Sequence, residues 1–211
     1  PRRTWREGGS STARWNLELL GWAVLALGLG ALAANAAALA LPPALAAPAS
    51  QGAIWLAFVV PLVLALRRSR PRGLFRFHPL DVLYGLVFGV VLRFAQGAIE
   101  GAGGTPAAWP STFSLDGRLP SGFALEAALG SLVAPTLEEL FFRGLVLVAA
   151  YTVFRRWSGR VAGGIAAAAV STALFVIAHV LVQGGDASGI LAIALVGVVA
   201  SALVLGTGRV W

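Results

Sequence analysis

Three ionisable side chains stand within six residues in Pro135-Thr-Leu-Glu138-Glu139-Leu-Phe-Phe-Arg143-Gly144, inside a stretch, 121–154, that is otherwise almost uncharged. At membrane depth each such charge costs ~2.5 kcal/mol or more even on lenient insertion scales, so the cluster must give something in return. Helical spacing puts Glu139 and Arg143 on one face, with the acid on the favourable N-terminal side. Glu138 is rotated ~100° from its neighbour and lies five residues before Arg143. It is the less well paired acid and the one free to take and return a proton. A structural ion pair gluing helices together is the bland reading of Glu139–Arg143; the second, adjacent acid is what favours a site.

A later apolar stretch carries Ser171, Phe175, His179 and Gln183 at four-residue intervals, one face of a helix. Glu138 lies 17 residues before Arg155 and His179 lies 19 residues after Arg160. Antiparallel helices would therefore set both at one depth, ~25–28 Å from the basic loop between them. Arg93, 17 residues past Arg76, falls at a similar level and would support the layer from behind; its ordinary role is to partner Glu100 or Gln96. Taken alone, His179 would be a hydrogen-bonded core histidine. Beside a carboxylate it can hold a water that attacks a carbonyl carbon, which is peptide hydrolysis.

The elements that position these groups are membrane helices. The chain is 58% hydrophobic and 12% charged over 211 residues, a composition of polytopic membrane proteins. The expected fold is an all-α bundle of about six transmembrane spans: 19–41, 52–66, 80–99, 121–154, 161–182 and 190–205, with an irregular loop over 101–120. The span 121–154 exceeds one membrane crossing, so it must tilt, lie partly at the interface or break near Pro135. Gly85-x-x-x-Gly89 offers a small-residue face for close helix approach. Residues 1–120 read as N-terminal helices and 121–211 as the part that carries the chemistry, in one structural unit.

Cysteine is absent, which excludes disulfides, thiol nucleophiles and Cys-ligated metal. Methionine is absent too and the chain opens on Pro1, so we read it as a piece of a longer protein. The net charge of +7 comes from sixteen arginines. Thirteen of them fall on alternating connections: four before residue 15, five over 67–76, three over 155–160, and Arg209. They read as topology determinants rather than as a nucleic-acid surface, and the positive-inside rule puts the N-terminus in the cytoplasm.

Glu138-Glu139-x-x-x-Arg143 followed by Phe175-x-x-x-His179 resembles the first two motifs of the CAAX prenyl protease and bacteriocin-processing (CPBP) family of intramembrane proteases. Pro135, the Phe-Arg-Gly after the paired acids, and Ser171 four residues before Phe175 belong to the resemblance, which covers about residues 121–211. It implies a multi-pass protease of the bacterial cell membrane, with Glu138 and His179 catalytic and Glu139, Arg143 and Phe175 in support. The family's third motif, a His followed four residues later by Asn or Asp, is not found, and the sequence reads as stopping before it. That motif would supply the oxyanion donors. A divalent metal such as zinc, held by Glu138, His179 and that further His, is the alternative to a glutamate-based mechanism, and neither cofactor state is favoured. The implied partners are the lipid bilayer and a peptide or protein substrate. The competing function is a non-catalytic membrane subunit or immunity-type protein that binds a partner protein through the same fold.

Overall fold

Lipid offers no hydrogen bonds, so a chain crossing it must pair its backbone groups within each segment, which selects helices. The structure, a computed structural model, describes residues 4–104, 118–119 and 122–211, and it contains helices and no strand among them. Most of the loop expected over 101–120 lies outside the described residues. Helix α1, Leu17–Ala40, starts where the Asn16 side chain accepts from the Leu19 N–H. Helix α2, Pro43–Arg68, starts nine residues earlier than the span expected from Gly52. Pro43 sits at the first helical position, where its missing N–H is no loss, and the alanine-rich run after it has high helix propensity. Helix α3, Pro79–Ala102, is capped by His78, whose Nδ1 accepts from the Leu80 N–H.

The stretch from Phe123 to Gln183 is continuous in hydrogen bonding but not in direction. Helix α4, Phe123–Ala128, widens into a π segment at Leu129–Val133; α5, Ala134–Glu138, precedes a second π segment, Glu139–Val146; α6, Leu147–Gln183, follows. The long segment therefore does not break at Pro135: it passes the proline by widening a turn before it. Within α6, Gly159 adopts φ 78° and ψ −173° and folds the chain back on itself. Among the described residues five helices, rather than six, are long and apolar enough to cross a membrane, because Phe123–Val182 counts as one. Its turn at Gly159 makes it a hairpin. Helix α7, Ala187–Thr207, begins at Asp186, whose carboxylate accepts from the Gly189 N–H. That bond, with one from the Ser188 hydroxyl, holds the Asp186 carboxyl below the usual carboxylate range.

The core forms where the second π segment enters the bundle. Phe141 through Ala150 are all buried, ten consecutive residues around every side of the helix, as expected of an element surrounded by others. α1 and α2 pair as a hairpin, with Gly30 letting Ala57 approach where a side chain would collide. α2 and α1 both pack on the second π segment, and α1 also packs on α6. α3 stands apart: its principal packing is against α7, and none of its apolar stretch is buried. At Gly85 and Gly89 an added Cβ would meet nothing within 4 Å, so the close helix approach expected there is not made.

One end of the bundle is tied together by polar bonds. Trp5, 1% exposed, donates from Nε1 to the Gly208 carbonyl at 2.8 Å. Arg6 donates to the carbonyls of Leu205 and Gly206 at the C-terminal end of α7, where a cation suits the helix dipole. Arg155 donates in turn to the carbonyls of Arg6 and Glu7. The Val210 N–H bonds the Leu74 carbonyl, and Arg209 grips buried Asp81 with two nitrogens, the shorter contact 2.6 Å. The N-terminal segment, the connection after α2, the Gly159 turn and Arg209 thus meet at one end, as the arginine count requires. The protein is an integral membrane protein.

Gly159 occupies a backbone region that is essentially glycine-only, where other residues cost ~1–3 kcal/mol, and an added Cβ there would meet no atom within 4 Å. Gly159→Ala should therefore lower detergent melting through the backbone alone, while Gly206→Ala, in ordinary helix, should not. Equal melting of the two variants would show that the turn is not needed.

Candidate functional site

The turn at Gly159 sets which residues face one another. A Cβ on Gly163 would lie 2.7 Å from the Arg155 backbone, and one on Gly164 would touch Tyr151. Farther along, the Ser171 hydroxyl donates to the Phe142 carbonyl at 2.8 Å, and the Arg143 guanidinium lies 4.2 Å from the centre of the Phe175 ring. Following the same register, the next turn brings Glu138 and Glu139 to the level of His179. Glu138 is within electrostatic reach of both His179 and Arg143.

The second π segment shapes this layer. Its i→i+5 bonding pairs the Leu147 N–H with the Phe142 carbonyl, and a widened turn of this kind often marks a functional position. The same carbonyl accepts from Ser171, so a buried hydroxyl ties the widened turn to the returning arm of the hairpin. Arg143, on this turn, is fully buried. Its nitrogen lies 3.3 Å from Glu139 Oε1, yet none of its side-chain nitrogens makes an aligned hydrogen bond among the described residues. The pair is close enough for Coulombic attraction and out of line for a bond, because the wide turn offsets the two side chains from α-helical alignment. The charge is compensated by Glu139, by Glu138 one residue earlier, and by the face of Phe175.

His179 is half-buried, and its Nδ1 lies 2.8 Å from the Phe175 carbonyl. A carbonyl can only accept, so Nδ1 donates this bond, which in the neutral imidazole puts the lone pair on Nε2. The Phe175 ring packs edge-on to the imidazole at 4.4 Å and to Phe142 at 5.2 Å. Phe142 and Phe141 in turn pack on Phe58 of α2, at 5.5 and 4.8 Å. Aromatic edges thus run from α2 through the π segment to the imidazole and fix its ring plane.

The structure brings together Glu138, Glu139, Arg143, Phe175, His179 and Ser171. Arg93, expected to support the layer, is carried half-buried on α3, whose principal partner is α7. Phe58 was not singled out by sequence reasoning, and Phe142 entered only within the Phe-Arg-Gly run; in runs of apolar residues a packing phenylalanine looks like a lipid-facing one. Among the described residues no three His, Asp or Glu side chains gather as a metal site. The donor set present therefore does not meet the three protein ligands of a typical catalytic zinc, and no step is derived through a metal.

Residues 120–211 match the family model described as type II CAAX prenyl endopeptidase Rce1-like. The matched stretch contains both motifs, and the family is one of proteases, in accord with the CPBP resemblance. No curated protein and no solved structure matches the chain.

Truncating one partner of a buried pair leaves the other uncompensated at ~3–5 kcal/mol. Arg143→Ala should lose stability on that scale in detergent unfolding, since the side chain is fully enclosed. Ser171→Ala should lose about 0.5–1.5 kcal/mol, the net worth of one hydrogen bond, since the Phe142 carbonyl keeps its bond from the Leu147 N–H. An Arg143→Ala protein as stable as its parent would mean that the guanidinium acts on substrate rather than on the fold.

Proposed function

We propose that the protein is an intramembrane endopeptidase in which Glu138 activates water beside His179. The observation that carries this reading is the hairpin register, which sets an acid not committed to Arg143 beside an imidazole whose Nδ1 is already engaged. A water between them donates one hydrogen to Glu138 and the other to the bare Nε2 of His179. As its oxygen bonds to the scissile carbonyl carbon, Glu138 takes the proton. The carboxylic acid then delivers that proton to the departing amide nitrogen, which breaks the C–N bond and restores the carboxylate. Glu138, the last residue of α5 where the widened turn begins, is half-buried and so partly screened from bulk water.

Glu139 and Arg143 have a different task. Arg143 supplies a fixed positive charge behind Glu138, and Glu139 keeps the arginine in place. The substrate is a membrane-associated peptide or protein. Because eleven of the described arginines lie on the connections at the tied end, that end faces the cytoplasm. These 211 residues hold no cysteine, so a single one can report the orientation: a Ser10→Cys variant should react with a membrane-impermeant thiol reagent only from the cytoplasmic side, and labelling from outside would reverse the orientation.

The two acids are separated by parallel variants of the whole natural protein in lipid. Glu138→Gln keeps shape and hydrogen bonding but removes the base, so melting should hold while peptide cleavage falls by ~10²-fold or more. Glu139→Gln deprives Arg143 of its anion, so lowered melting should dominate. A Glu138→Gln protein that cleaves like its parent would sink the assignment of the base and leave a partner-binding membrane subunit as the better account.

A further inference from the structure

At the tied end, well away from the acids, the hairpin and α7 enclose a groove of about 330 Å³. Arg6 and Arg160 line it at the end nearest the Gly159 turn, and Val161, Ile165 and Leu205 form an apolar wall beside them. Gly206 completes it, with nothing within 4 Å of where a Cβ would stand. Val161 and Ile165 are 78% and 68% exposed, on the outward face of a membrane helix. No acid is among the described residues that line the groove.

The two arginines differ in a useful way. Arg6 is anchored by its bonds to the Leu205 and Gly206 carbonyls, 3.0 and 2.6 Å, so its charge is held at the groove in advance. Arg160 is exposed and makes no side-chain hydrogen bond or ion pair with any described residue. A neighbouring cavity of about 140 Å³ shares Arg6 and adds Arg76, with no acid among its described lining residues, and Arg209, whose charge Asp81 already answers. Positive charge from Arg76 thus adds to that of Arg6 and Arg160.

We propose that this groove binds an anionic phospholipid, its phosphate between Arg6 and Arg160 and an acyl chain along Val161, Ile165 and Leu205. A free phosphate would satisfy the arginines and leave the apolar wall without an occupant, whereas a phospholipid meets both. The site is also at the right level, since arginines mark the headgroup region on the side to which they are confined.

The test uses the intact protein equilibrated in detergent with equal amounts of phosphatidylglycerol and phosphatidylcholine, with bound lipid counted by native mass spectrometry. Phosphatidylglycerol should be retained in preference by about fivefold or more, the factor that ~1 kcal/mol per surface arginine supplies. Arg160→Gln, which breaks no intramolecular bond, should erase that preference. Gly206→Leu should lower retention of both lipids by filling the groove without a clash. Arg156→Gln, exposed at the same end but outside the groove, should change neither. If Arg156→Gln and Arg160→Gln weaken retention equally, the attraction is that of the whole basic surface and the site does not exist. If soluble glycerol phosphate displaces the lipid at matched concentration, the groove is a phosphate site and the lipid assignment falls.

Discussion

A guanidinium sealed among phenylalanines is the constraint that the rest of this structure answers to. Removed from water, Arg143 needs negative charge at contact distance and polarisable surface around the remainder of its edge. The neighbouring elements supply these in turn: Glu139 on the same turn, Phe175 from the returning arm, Phe142 braced on Phe58 of α2. Each requirement pulls a different segment toward one point. The same convergence that neutralises the arginine therefore delivers Glu138 and His179 to each other, and the site is a by-product of burying the charge.

The helical spans were legible because membrane helices announce themselves in apolar length, and the register of the hairpin was legible because arginines mark both ends of its turn. The paired acids and His179 could be brought to one depth by counting residues alone. Other features had no such signal. Residues 43–51 hold proline and alanine but little bulky apolar surface, so they look like a connection until α1 gives them something to pack against. The π segments leave no trace in residue type, since widening a turn changes hydrogen bonding before it changes which side chains are tolerated. Trp5 was invisible for the opposite reason: a lone aromatic in a basic stretch has no period, and its burial depends on the carbonyl of Gly208, at the far end of the chain.

Two parts of the molecule differ in how firmly they are held. The second π segment and the helices around it share one aromatic core, whereas α3 rests mainly on α7 and exposes the rest of its surface. Its Asp81 meets Arg209 at one end, and Gly103 lies close to Ser188 at the other.

The bonds from Trp5 and Arg6 to the carbonyls of Leu205, Gly206 and Gly208 carry a consequence for biogenesis. A ribosome delivers the segment around Trp5 before α7, so Trp5 must wait for α7 before it can be buried. Until then Trp5 remains in water or at the lipid surface, and helices already inserted lack the tie that closes one end. Burial of Trp5 is thus a late step, completed only when α7 is in place.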